Sequence, residues 1–281
     1  WLQDFLLSTT KEDWRISAIG AGLIGLAFLS NAYQLRKALQ RDLATPSDGA
    51  STQSSQWDTP FLSAFDTIGL WAFAAIAPLL ADQSTTVWAW AISAIVVLAV
   101  GLRQQWGPWI NNALLLQVTA GGVYLWGGDG LDAALFAPCL PQANAPAFWY
   151  LGFLNPALLA LGAFVMAQLW QRQSRVNQTS TSSAGLSLFA LLWGTAWWLG
   201  AWGQELWRIT SAQAGLAQHY YLGVMALSAM VAVAWATKRK WPALAWLSMG
   251  ILGLFGAVLA FDIDQMDHPL AAWGWLVYPA A

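Results

Sequence analysis

Eight long apolar runs, at residues 16–33, 61–81, 87–102, 109–126, 147–170, 186–202, 220–236 and 241–261, alternate with short polar gaps, and a ninth begins near Leu270. A helix that crosses a hydrocarbon core of about 30 Å needs roughly 20 such residues, because each residue advances only 1.5 Å. Several runs are slightly short for an untilted span, and the Trp and Tyr residues at their ends complete them at the membrane interfaces. The pattern predicts an all-α, polytopic transmembrane helix bundle of about eight full spans plus a truncated ninth.

Charge then gives the spans a direction. Nine of the twelve Lys and Arg residues fall in alternate gaps: Arg36, Lys37 and Arg41, then Arg103, then Arg172 and Arg175, then Lys238, Arg239 and Lys240. The intervening gaps hold Asp82, Asp129, Asp132, Glu205, Asp262, Asp264 and Asp267, with Arg208 as their one basic residue. Lys- and Arg-rich loops stay on the cytoplasmic side, so the N-terminus is expected to be extracytoplasmic and the chain to be a multi-pass protein of the bacterial inner (cytoplasmic) membrane. The N-terminal residues show no cleavable signal sequence. The absence of an initiator Met and the twelve-residue apolar run 270–281 lead to the expectation of further helices beyond both ends.

Two polar stretches interrupt the spans. Residues 42–57 are rich in Ser, Thr, Asp and Gly and read as a mobile linker, because they carry too little apolar surface to offset their ordering entropy. Residues 171–183 have the same character. An ungapped match links the segment from Trp106 to the segment from Trp241 at an offset of 135 residues: Gly121 meets Gly256, Asp129 meets Asp264, and Asp132 meets Asp267. The prolines that follow, Pro146 with Pro156 and Pro269 with Pro279, are equally spaced. These matches predict a parallel repeat of two four-helix units. The expected organisation is residues 1–60 as an extracytoplasmic segment, first span and cytoplasmic linker, 61–184 as the first unit, and 185–281 as the second, truncated unit.

Composition agrees with lipid as the solvent: 58% of residues are hydrophobic and 9% charged, against about 25% charged in a soluble domain. A net charge of −2 and dispersed basic residues argue against nucleic acid as a partner. The single cysteine, Cys139, excludes an intrachain disulfide and a cysteine-cluster metal site. Twenty-one Trp residues are the largest anomaly, and many sit at span ends, where an indole buries its ring and keeps its N–H wet.

Polar residues inside or beside the spans are the candidates for a role. Asp66 lies in the second run near its cytoplasmic end, where a carboxylate is costly; it reads either as part of a proton or cation relay, or as a residue that caps the helix or hydrogen-bonds Ser63 or Thr67. Asn155 precedes Pro156, a residue that removes a backbone donor and frees a carbonyl, and Glu205 lies at the outer end of the sixth run. The extracytoplasmic acids Asp129, Asp132, Asp262, Asp264 and Asp267, with His268, could gather a cation or polar head group, or simply follow the charge bias. His219 and His268 are both near the outer face, so no haem or other cofactor is expected and a metal role is undetermined.

The runs LLWGTAWWLGAWGQEL (191–206), HPLAAWGWLVYP (268–279), FLNPALLALGAF (153–164) and LLLQVTAGGVYL (114–125) resemble the bacterial predicted membrane proteins that carry domain of unknown function 2339. The resemblance runs from about Phe61 onward, with Gln204 and Ala272 departing from the pattern. It implies a longer, many-span protein and no established activity. The expected function is a non-enzymatic, transporter-like or scaffold component of the envelope, whose partners are membrane lipids, further transmembrane helices and another membrane protein. Two rival readings are a membrane enzyme acting on a lipid-linked or saccharide substrate at the outer face, and a structural accessory subunit of a larger complex.

Overall fold

The fold is given by a computed structural model, which describes residues 11–44, 55–126, 148, 151–176, 181–210, 216–251 and 253. All secondary structure among them is helical. The elements are α1 (Lys11–Ala44), α2 (Ser55–Ala74), α3 (Ile76–Leu80), α4 (Gln83–Gln104), α5 (Gly107–Trp126), α6 (Leu151–Val176), α7 (Thr181–Thr210), α8 (Leu216–Arg239) and α9 (Pro242–Ile251).

Six helical stretches are long and apolar enough to cross a membrane: Arg15–Ala38, Pro60–Leu80, Gln83–Gln104, Gly152–Ser174, Ala184–Leu206 and His219–Arg239. They fit a multi-pass membrane protein. The fourth expected span is the helix α5, but Asn111, Asn112 and Gln117 lower its hydropathy and it does not join the six. The eighth is described as a helix over Pro242–Ile251, and the ninth lies outside the described residues. Both polar stretches are shorter than expected, since α1 continues to Ala44, α2 starts at Ser55, α6 continues to Val176 and α7 starts at Thr181. Adding a residue to an established helix gains a backbone hydrogen bond without a new nucleation cost, so helices extend past their apolar cores.

The chain divides into two compact units, Trp1–Tyr124 and Leu125–Ala281. In the first, α1 and α2 run antiparallel: Gly22 lies against Ile76, Gly25 against Phe73, and Gly69 against Leu29. A Cβ on Gly25 would come within 2.7 Å of the Phe73 ring, and one on Gly69 within 2.7 Å of Leu29. Two glycines at one crossing thus let the backbones approach, which is how helices gain dispersion contacts where lipid offers no hydrophobic drive. Pro78 in α3 has no N–H to give the Ala74 carbonyl four residues back, and the Trp90 indole supplies the missing donor at 2.7 Å.

In the second unit α6 and α7 also pack antiparallel. The Ser187 hydroxyl donates to the Ala167 carbonyl at 2.9 Å, and a Cβ on Gly194 would meet the Phe164 ring at 2.9 Å and the Ala160 carbonyl at 3.1 Å. From α7, the Trp198 indole donates to Ser228 of α8 at 3.1 Å.

Each unit turns from one helix to the next in the same way. Gln105 ends α4 in the left-handed conformation (φ 56°), its N–H donating to Leu102, while the Trp106 N–H donates to Gly101 at 2.8 Å. Lys240 ends α8 likewise (φ 52°): its N–H donates to Thr237, and the Trp241 N–H donates to Ala236 at 2.8 Å. These are paired six-to-one and five-to-two bonds that satisfy the last carbonyls of a helix. A glycine would adopt that φ without strain; here Gln and Lys hold it. Outward faces stay apolar, with Ile16, Ile19 and Leu23 of α1, Leu227 and Val231 of α8, and Trp246 of α9 exposed as lipid requires.

Candidate functional site

Two carboxylates are fully buried among the described residues, one in each unit. Asp66 lies about three turns inside α2, too deep to cap it. It is 1% exposed and accepts two hydrogen bonds at one oxygen, from Arg36 Nη2 (2.8 Å) and from the Trp106 indole (2.5 Å). The Arg36 guanidinium lies 3.9 Å from the centre of the Trp106 ring and also donates to Gln104 Oε1 at 3.2 Å. Arg36 is thus no free loop charge, but a residue of α1 that neutralises Asp66 and stacks on an indole. This arrangement replaces the bonds to Ser63 or Thr67 expected from the sequence. Thr67 instead accepts from Asn112, whose carbonyl oxygen accepts from the Trp71 indole at 2.9 Å. The ion pair, cation–π contact and amide together tie α1, α2, α4 and α5 at their shared basic end.

Glu205 is 0% exposed near the end of α7. Arg208, one turn further on, reaches both its oxygens, Nε to Oε2 at 3.0 Å and Nη2 to Oε1 at 2.9 Å, so the pair is bidentate. The backbone N–H of Phe148 adds a third donor at 2.7 Å. Phe148 holds a left-handed φ of 64°, and its ring joins Phe153 and Trp202 with centroids 5.3 to 5.4 Å apart. Both side chains of the ion pair are buried, and the strain at Phe148 is balanced by aiming its N–H at the carboxylate.

Of the other candidates, Asn155 is buried in the second turn of α6, beside Pro156. Asp129, Asp132, Asp262, Asp264, Asp267 and His268 lie outside the described residues. His219 is buried, and among the described residues no three His, Cys, Asp or Glu side chains gather as a metal site. Between the second and third candidate spans, the exposed Asp82 accepts from the Thr85 hydroxyl, and this bond holds its carboxyl below the usual range.

Sequence reasoning passed over Arg36 and Arg208 as partners. The Glu205–Arg208 spacing of three places both on one helix face and was a usable signal. Arg36 follows the first run and Asp66 opens the second, so an antiparallel pair brings them to one depth; only the crossing at Gly25 and Gly69 fixes that they touch.

The second unit also contains an open cavity of about 80 Å³, lined by Gln168, Gln171 and Arg172 of α6, Arg239 of α8, and Trp241. Its lining offers guanidinium, indole and amide N–H donors, with the two glutamine carbonyls as its side-chain acceptors. No known protein family, curated protein or solved structure matches this chain.

Proposed function

We propose that the chain is a non-enzymatic scaffold component of the bacterial inner membrane, related to the proteins with domain of unknown function 2339, and built as two equivalent four-helix units in tandem. The observation that carries the scaffold reading is that both buried carboxylates are held in ion pairs with further donors, Asp66 by Arg36 and Trp106, Glu205 by Arg208 and the Phe148 N–H. Carboxylates saturated in this way fix helices together; a relay needs one that exchanges its proton or cation.

The equivalence of the units regroups the spans expected from sequence: spans one to four correspond to five to eight. Turn geometry supports it at an offset of 135 residues, with Gln105 matching Lys240 and Trp106 matching Trp241. The same offset matches Gly25 with Ala160 and Leu29 with Phe164, the residues that receive the crossing glycines. Those glycines, Gly69 and Gly194, match at an offset of 125, which also pairs buried Leu62 with Ser187 and buried Asp66 with Leu191. By the charge rule the basic ends face the cytoplasm and the start of α1 faces outward.

Purified protein in liposomes with an imposed pH gradient separates scaffold from transporter. A scaffold passes no more protons than empty liposomes, and Asp66→Asn lowers only thermal stability. Proton flux in the wild type that disappears in Asp66→Asn at unchanged stability would overturn the reading.

A further inference from the structure

In the first unit the donors at the basic end have their acceptor built in: Asp66 takes the Trp106 indole and the Arg36 guanidinium. The corresponding positions of the second unit keep the donors and lose the acceptor. Trp241 stands for Trp106, Gln171 for Arg36 and Arg239 for Gln104, while buried Leu191 stands where Asp66 would be. These three donor residues, with Gln168 and Arg172, are the lining of the cavity. Trp241 is 4% exposed, and neither its Nε1 nor the Gln168 Nε2 has a hydrogen-bond partner. An indole N–H and an amide N–H left unpaired in a buried setting cost about 1–3 kcal/mol each, and a bound acceptor recovers that.

Charge selects the acceptor. Arg172, Arg175, Lys238, Arg239 and Lys240 belong to this end, and the sequence has no acid from residue 133 to 204 or from 206 to 261. The charge rule accounts for basic loops, but not for two lining residues, Gln168 and Trp241, whose N–H donors have no partner. A volume of about 80 Å³ exceeds the 10–15 Å³ that one water occupies on this measure, so the space admits a tetrahedral oxyanion. Planar guanidinium groups and an indole N–H donate to such oxygens with no competing acceptor from their own side chains.

We propose that this cavity binds a phosphate group, supplied by an anionic phospholipid head group or by free phosphate, which stands in for the carboxylate that Asp66 provides in the other unit. The inference rests on the correspondence of the two units for the role of Leu191, and on the cavity alone for the role of the arginines. Bound phosphate would bridge α6 to α8 as Asp66 of α2 joins Arg36 of α1 to Trp106, in the turn before α5.

Native mass spectrometry of the whole chain from micelles with equal phosphatidylglycerol and phosphatidylcholine tests it, together with the ¹⁵N-indole resonance of Trp241. The expected result is retention of phosphatidylglycerol over phosphatidylcholine and a downfield shift of that resonance. Both should weaken about ten- to a hundredfold in affinity in Arg172→Gln and Arg239→Gln, the loss expected for one charge-assisted bond. Inorganic phosphate producing the same arginine-dependent shift without lipid selectivity would identify the free ion as ligand. Leu191→Asp should displace the anion by restoring an internal acceptor. If Leu191→Asp folds and leaves binding intact while the arginine variants lose it, the site stands and the correspondence at Leu191 fails. Equal retention of both lipids, with a Trp241 resonance that neither phosphatidylglycerol nor phosphate moves, would overturn the proposal.

Discussion

Replacing Asp66 by Leu removes the acceptor shared by Arg36 and Trp106 but leaves both donors in place. Breaking one partner of a buried ion pair costs about 3–5 kcal/mol, because the survivor is left uncompensated. The Arg36 side chain is 18% exposed and can recover some hydration, so we expect about 2–3 kcal/mol for Asp66→Leu. Arg36→Met strands a carboxylate whose side chain is only 2% exposed and should cost more, about 3–5 kcal/mol. The double variant leaves only the Trp106 indole and Gln104 amide unpaired and should lie within about 1–3 kcal/mol of wild type. The resulting coupling energy is about 2 kcal/mol or more, well above the few tenths seen between independent sites. Reversible unfolding in mixed micelles, followed by far-ultraviolet circular dichroism, measures all four corners of the cycle. If the two single losses simply add in the double variant, Arg36 and Asp66 do not hold each other and the account of this end is wrong.

Further predictions concern the helix crossings and the opposite ends. Gly69→Ala should lose about 1–3 kcal/mol in the same assay, because its Cβ meets Leu29 and the Gly25 carbonyl, whereas Gly20→Ala, with open space around it, should gain up to about 1 kcal/mol. Trp90→Phe should cost about 1–3 kcal/mol by leaving the Ala74 carbonyl beneath Pro78 unmatched. Asp82 should titrate below the ordinary carboxylate value when followed by ¹³C resonance, and Thr85→Val should raise it. Because its folded value is depressed, any stabilisation from this bond is present at neutral pH and is lost as pH falls through the folded value.

How far the sequence discloses this molecule depends on which interactions are local. Six of the helices that can cross a membrane were legible from run length, since lipid demands apolar length in one continuous stretch. Asp66, Asn155 and Glu205 stood out as polar residues inside or beside the apolar runs, and all three are buried. Their partners were less legible. Arg36 and Trp106 reach Asp66 from 30 and 40 residues away, and that depends on how α1, α2 and α5 cross, which no periodicity reports. The end of α5 illustrates the converse: Asn111, Asn112 and Gln117 look like flaws in a span, yet Asn112 joins Trp71 to Thr67 within the bundle.

Sidedness of the two matching turns tests the central claim most directly. Single cysteines placed by Gln105→Cys and Lys240→Cys, with Asp82→Cys as a control, would be introduced into a chain whose one native cysteine is replaced by Cys139→Ser. A membrane-impermeant maleimide is then applied to spheroplasts before and after permeabilisation. Two equivalent units in parallel predict that Gln105→Cys and Lys240→Cys are both labelled only after permeabilisation, and Asp82→Cys before it. Labelling of Gln105→Cys and Lys240→Cys from opposite sides would contradict the account.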